Sequence, residues 1–159
     1  MGLVETKIKL SKLSRINGCV PADWRSCNNF HLSSKGRTWV GWNPAVWTCV
    51  IHAIFTQHIT LSVKNKGGLE GFLTVAYGLN SQSERKELWN NLYALNIQNW
   101  PWLVAGDFNT ARYTSEKIGG KSLTFLQLSS FNNFIASCFL FDLSSVGNHW
   151  SWNNSFGCR

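Results

Sequence analysis

What this 159-residue chain has little of narrows its reading before any motif is considered. No run approaches the roughly 20 apolar residues that cross a bilayer, so no membrane partner is expected. Residues 1–10 hold no apolar signal-peptide core, so a nuclear or cytoplasmic protein is expected rather than a secreted one. Charged residues are only 14% of the chain while aromatics reach the same share, nine of them tryptophan. That balance excludes a solvated linker and a coiled coil. There is no C-x-x-C pair: Cys19, Cys27, Cys49, Cys138 and Cys158 are odd in number and widely spaced. A disulfide framework is therefore not expected, and a reducing compartment fits better. Cys27 and His31 form a C-x-x-x-H with no second ligand pair at zinc spacing. Internal repeats and low-complexity tracts are also missing.

What is present is enough apolar material for one core, at 44% of residues. Length predicts a single domain over residues 1–159. The net charge is +7, and residues 1–37 carry five of those charges through Lys7, Lys9, Lys12, Arg15, Arg25, Lys35 and Arg37 against Glu5 and Asp23. A basic balance favours polyanions, DNA or RNA before anionic lipid, although a solubilising surface would look the same.

The hydropathy pattern predicts strands mixed with two helices. Residues 2–6 read as the end of a short buried strand, and 7–15 as an exposed helix or loop. Residues 38–43, 46–55, 56–63 and 71–77 read as strands, the last apolar enough to lie inside a sheet. Ser81 reads as a helix N-cap with Glu84 completing a capping box, followed by Leu88, Leu92 and Leu95 at helical spacing with Arg85 and Lys86 outward. Residues 102–105 form a short strand, 124–138 a second helix, and 139–143 and 149–152 two further strands. The expected class is an α/β (α+β) layered sandwich.

The sharpest chemical signal is Gly106-Asp107-Phe108-Asn109 directly after a buried strand. In extended backbone, Asp107 and Asn109 would share one face. A carboxylate beside a carboxamide can hold a water, and near a phosphate and a divalent metal it can aim that water for attack. An Asx-turn, in which the Asp side chain takes a nearby backbone N–H, is the competing reading. His58 reads as a partly exposed strand histidine.

These residues carry a resemblance. Leu3-Val-Glu5-Thr-Lys7 resembles the L-x-E-T-K motif of the endonuclease/exonuclease/phosphatase superfamily, the DNase I-like fold. Val75-Ala-Tyr77-Gly78 resembles its V-Y-G segment, and residues 83–89 the helix after it. Trp102 to Asn109 resembles W-x-x-x-G-D-F-N. Ser115-Glu116-Lys117-Ile118-Gly119-Gly120 is similar to the E-K-x-G-G loop of plant retrotransposon-type members. Phe141-Asp142-Leu143 and residues 149–154 resemble the D-L and T-W-S-N segments that follow. The segments match in order from residue 3 to 154. The branch they resemble is the endonuclease domain of plant LINE-type (non-LTR) retrotransposons rather than the lipid and nucleotide phosphatases.

The resemblance implies two packed β-sheets with flanking helices and a magnesium-dependent endonuclease, manganese being an alternative ion. It implies DNA as substrate, and a reverse transcriptase domain as partner in complete relatives. Glu5 matches the metal-binding carboxylate. Asp107 and Asn109 match the pair that positions or activates the attacking water, and Tyr77 the tyrosine at the scissile phosphate. Trp152, Arg112 and Lys117 are candidate DNA contacts. The simpler readings are a surface acid for Glu5, a packed strand tyrosine for Tyr77 and a core aromatic for Trp152. The family also has an opening strand with a W-N-x-R-G pattern and closing strands ending in S-D-H, and neither occurs here. The resemblance thus implies an incomplete DNase I-like fold, impaired or inactive, with exposed sheet edge and a tendency to aggregate. A non-catalytic nucleic-acid-binding module and a relic of a retroelement are the other functions left open.

Overall fold

The computed structural model describes residues 1–6, 20–32, 37–116, 124–144 and 146. Lys117 and Trp152, residues 7–15 and the strand expected at 149–152 lie outside them. The chain divides into two compact units, Met1–Asn109 and Thr110–Arg159.

The first unit holds two sheets. β1 (Gly2–Leu3), β3 (Trp39–Trp42) and β2 (Arg25–Asn28) form an antiparallel sheet in that order. β4 (Trp47–Ile54), β5 (His58–Asn65), β6 (Glu70–Tyr77) and β7 (Trp102–Asp107) form the other, also in the order named. The first three of these are joined by hairpins. β6 and β7 run parallel, and a parallel pair needs a crossover, supplied by α1 (Gln82–Ala94). β6 is internal, as its apolar composition predicts. The β5–β6 turn is set by Asn65, whose Oδ1 accepts the Leu69 N–H at 2.9 Å.

The two sheets pack face to face. Cys27 and Val40 of the first share a core with Ile59, Leu61 and Val75 of the second. A Cβ on Gly2 would lie 3.0 Å from the Val75 side chain, so β1 runs close over β6. The layered sandwich expected from the sequence is thus present, with one correction. Residues 2 and 3 are exposed rather than buried, because two residues at a sheet edge bury neither face fully. Burial also pushes the Cys27 thiol up to about 11, so it stays protonated and packs as a small apolar group.

Alternation along β5 and β6 turns His58, Thr60, Thr74 and Ala76 to the face opposite that core. They are fully buried. His58 is therefore not the partly exposed residue that its polarity suggested. Its Nδ1 lies 3.2 Å from Thr60 Oγ1, Thr60 Oγ1 is 2.8 Å from Thr74 Oγ1, and the Trp102 indole N–H donates to Thr74 Oγ1 at 2.9 Å. This ladder satisfies polar groups that would otherwise be costly to bury.

In α1, Leu88 and Leu92 of the predicted spacing are buried with Trp89 beside them, while Leu95 is the C-cap, half-buried just past the helix. Arg85 is a correction: it is buried rather than outward. Its Nη1 donates to the carbonyls of Leu79 and Asn80, both at 2.7 Å, which compensates the guanidinium for lost water.

The second unit contains a 3-10 turn at Thr114–Glu116 and α2 (Phe125–Ser137), with Phe131, Phe134 and Ile135 buried. Residues 139–143 are not a strand. They follow the helix as irregular chain, with Phe139 and Phe141 exposed. Capping also departs from expectation. Ser81 is the N-cap of α1 but makes no side-chain cap; its hydroxyl lies 2.7 Å from that of Ser83. The closed capping box is at α2, where Thr124 accepts from the Gln127 N–H and Gln127 Oε1 accepts from the Thr124 N–H at 2.8 Å. Thr124→Ala should therefore cost about 1 kcal/mol and speed amide exchange in the first turn of α2, whereas Ser81→Ala should leave α1 exchange unchanged.

Candidate functional site

β6 and β7 end side by side, with Tyr77 opposite Asp107 in register. Two glycines make this approach possible. Gly106 has φ +143°, and a Cβ there would lie 1.9 Å from the Ala76 carbonyl oxygen. A Cβ on Gly78 would lie 2.5 Å from the Phe108 carbonyl oxygen. The Gly78 N–H donates to the Asp107 carbonyl at 2.8 Å, closing the two strand ends together. The glycines of V-A-Y-G and G-D-F-N thus serve one purpose: they let two backbones touch.

Asp107 and Asn109 are both half-buried and adjacent, but not through extended backbone. Asn109 is left-handed at φ +48°, and Asp107 Oδ1 accepts the Asn109 N–H at 2.9 Å. This is the Asx-turn reading of the pair. Asn109 Nδ2 donates to the Gly78 carbonyl at 2.7 Å, which ties the turn back to the end of β6. The turn and a chemical role are compatible, since each carboxylate oxygen has more than one acceptor site.

Tyr77 is buried at 3% exposure and packs as a strand residue. The Arg37 guanidinium lies over its ring, 5.3 Å from the centroid. Arg37 also joins the first sheet to this place, because its carbonyl accepts the Thr6 N–H at 3.3 Å. Glu5, just beyond β1 and left-handed at φ +54°, therefore lies at the Arg37 end of the first sheet. It is exposed. Glu5 and Asp107 each carry a carboxylate, the oxygen-donor type that a hard cation takes. Among the described residues no three His, Cys, Asp or Glu side chains cluster as a metal site. One or two carboxylates with waters are nevertheless enough for magnesium.

Arg112 lies in the second unit and is engaged there. Its Nη1 is 2.5 Å from Asp142 Oδ2, its Nε donates to Asn132 Oδ1 at 3.1 Å, and its guanidinium lies over Tyr113.

Three residues to which the sequence assigned no part in the site shape its surroundings. Gln57 accepts from the Leu79 N–H at 2.8 Å and donates to the Glu84 carbonyl at 2.9 Å. With Arg85 it fixes the segment between β6 and α1. Asn29 donates to the carbonyls of Phe55 and Thr56 and accepts the Thr38 N–H, pinning the segment before β3 to the β4–β5 turn. No local pattern marks any of the three, because each bonds to backbone at least five residues away.

No protein-family model and no curated protein matches the chain. Among solved structures, the crystal structure of D. rerio TDP2 complexed with single strand DNA product is similar at 13% identity and a TM-score of 0.43. The match covers 66% of this chain and 46% of that one, so this chain spans less than half the length of the protein it resembles there.

Proposed function

We propose that this chain is a DNase I-like, metal-dependent phosphodiesterase domain acting on nucleic acid, of the kind encoded by plant LINE-type retrotransposons. The observation that carries the reading is the meeting of Tyr77, Asp107 and Asn109 at the joined ends of β6 and β7, with Arg37 linking that point to the segment holding Glu5. The ordered run of motifs around these residues supports the retrotransposon branch. In this reading Glu5 would hold magnesium or manganese, which would supply charge neutralisation at the phosphate. Asp107, oriented by its bond from the Asn109 N–H, takes a proton from the attacking water. The net charge of +7 suits a polyanionic substrate.

The test is nicking of supercoiled plasmid with magnesium. Wild-type nicking should be weak, as expected of an impaired domain, and chelation should stop it. Asp107→Asn and Glu5→Gln should each slow nicking about 10²-fold with far-UV dichroism unchanged. Nicking that survives both substitutions, or a wild-type chain that never nicks, overturns the enzyme reading. Salt-sensitive DNA binding without nicking would instead assign a binding module.

A further inference from the structure

The proposed site has a charge problem. A phosphodiester approaching Glu5 and Asp107 meets two carboxylates, and a cationic side chain of the protein beside them would offset that charge. Four of the described cations can be sorted by place. Arg25 pairs with Trp42 at the far end of β3. Lys64 is at the far end of β5, 3.2 Å from Glu70 Oε2. Arg85 is buried and donates to two loop carbonyls. Arg37 differs from these. It precedes β3 at the Glu5 end, is half-exposed, and lies over the ring of the residue opposite Asp107.

We propose that Arg37 is the phosphate-docking residue of this site, its guanidinium donating to a non-bridging oxygen of the nucleic-acid backbone while the Tyr77 ring holds it in place. This rests on the phosphodiesterase reading for the class of ligand, but not on catalysis. A cation–π contact uses the charge and face of the guanidinium and leaves its N–H donors for a ligand. Tyr77, being buried, is a fixed platform beneath it. The planar fork then suits two phosphate oxygens at once, which a lysine cannot match.

The experiment is fluorescence anisotropy with the full chain and a fluorescein-labelled DNA oligonucleotide, single-stranded and duplex, in calcium so that cleavage is suppressed, over a salt series. Arg37→Gln should weaken binding about tenfold and lower the salt slope by about one. Arg37→Lys should restore the slope but not the full affinity. Lys64→Gln, an exposed cation at the opposite sheet end, should bind as wild type. Thermal melts of all three should match wild type. If Arg37→Gln binds like wild type, or Lys64→Gln loses as much, the assignment is wrong while the enzyme reading stands. If the wild-type chain binds through Arg37 yet never nicks, the enzyme reading fails and Arg37 keeps its role. A wild-type chain that binds no DNA overturns both.

Discussion

Gly106→Ala is expected to destabilise the first unit by about 3 kcal/mol or more, the largest effect of any single methyl group added to it. Two costs act together. At φ +143° an L side chain is strained in itself. The added Cβ would also sit 1.9 Å from the Ala76 carbonyl oxygen and 2.8 Å from its carbon. Those atoms are backbone of a central strand and cannot rotate aside, so β6 and β7 would have to part. That would break the register joining Tyr77 to Asp107. Gly68 is the control. It too has positive φ, at +88°, but a Cβ added there would meet nothing within 4 Å. Gly68→Ala should therefore cost only about 1 kcal/mol, the conformational part alone. Urea unfolding of the two variants reads the difference. Equal midpoints would mean that close approach of the strands does not limit stability.

The second large effect is acid-linked. Burial holds His58 near a pKa of about 4, against an ordinary 6.5. Its Nε2 has no hydrogen-bond partner among the described residues, its Nδ1 faces the Thr60 hydroxyl, and the Phe55 ring lies 5.0 Å away. Loss of water on burial outweighs what these neighbours offer a cation. The unfolded chain therefore binds a proton at higher pH than the folded one. The stability held by neutral His58 is complete above pH 6.5 and is lost as pH falls from there towards 4. Between pH 7 and pH 5 the loss is about 2 kcal/mol. His58→Leu should flatten that slope. Unfolding free energies at the two pH values check this. A wild-type slope no steeper than the variant's would show that the buried ring titrates normally.

Several features were legible because local pattern and tertiary structure agree. Residues 71–77 read as an internal strand because apolar side chains point to both faces, and both faces are covered. The helix of residues 82–94 was legible because Leu88 and Leu92 recur at helical spacing and that stripe is the one that is buried. Where the two levels part, the reading failed in instructive ways. Ser81-x-x-Glu84 and Thr124-x-x-Gln127 are equivalent as patterns, yet only the second closes, because Ser83 competes for the Ser81 hydroxyl. Arg85 and His58 looked solvent-facing by residue type. Arg85 is buried because two loop carbonyls take the place of water, and His58 because it stays neutral there, with only Nδ1 facing the threonine ladder. Spacing alone put Asp107 and Asn109 on one extended face, but a left-handed residue brings them together by a turn. The motif was legible and its geometry was not, because i and i+2 are neighbours in both conformations. Glu5 follows β1, Arg37 precedes β3 and Tyr77 ends β6, so only the stacking of the two sheets could reveal their order.

The short connection from Gly78 to Ser81 is clamped from both flanks, by the Gln57 amide before it and the Arg85 guanidinium after it. Freezing that rim is thus part of reaching the native state and is not left for an encounter with a ligand. A molecule docking there forfeits little backbone or rotamer entropy on its host's account, which favours quick capture over slow remodelling.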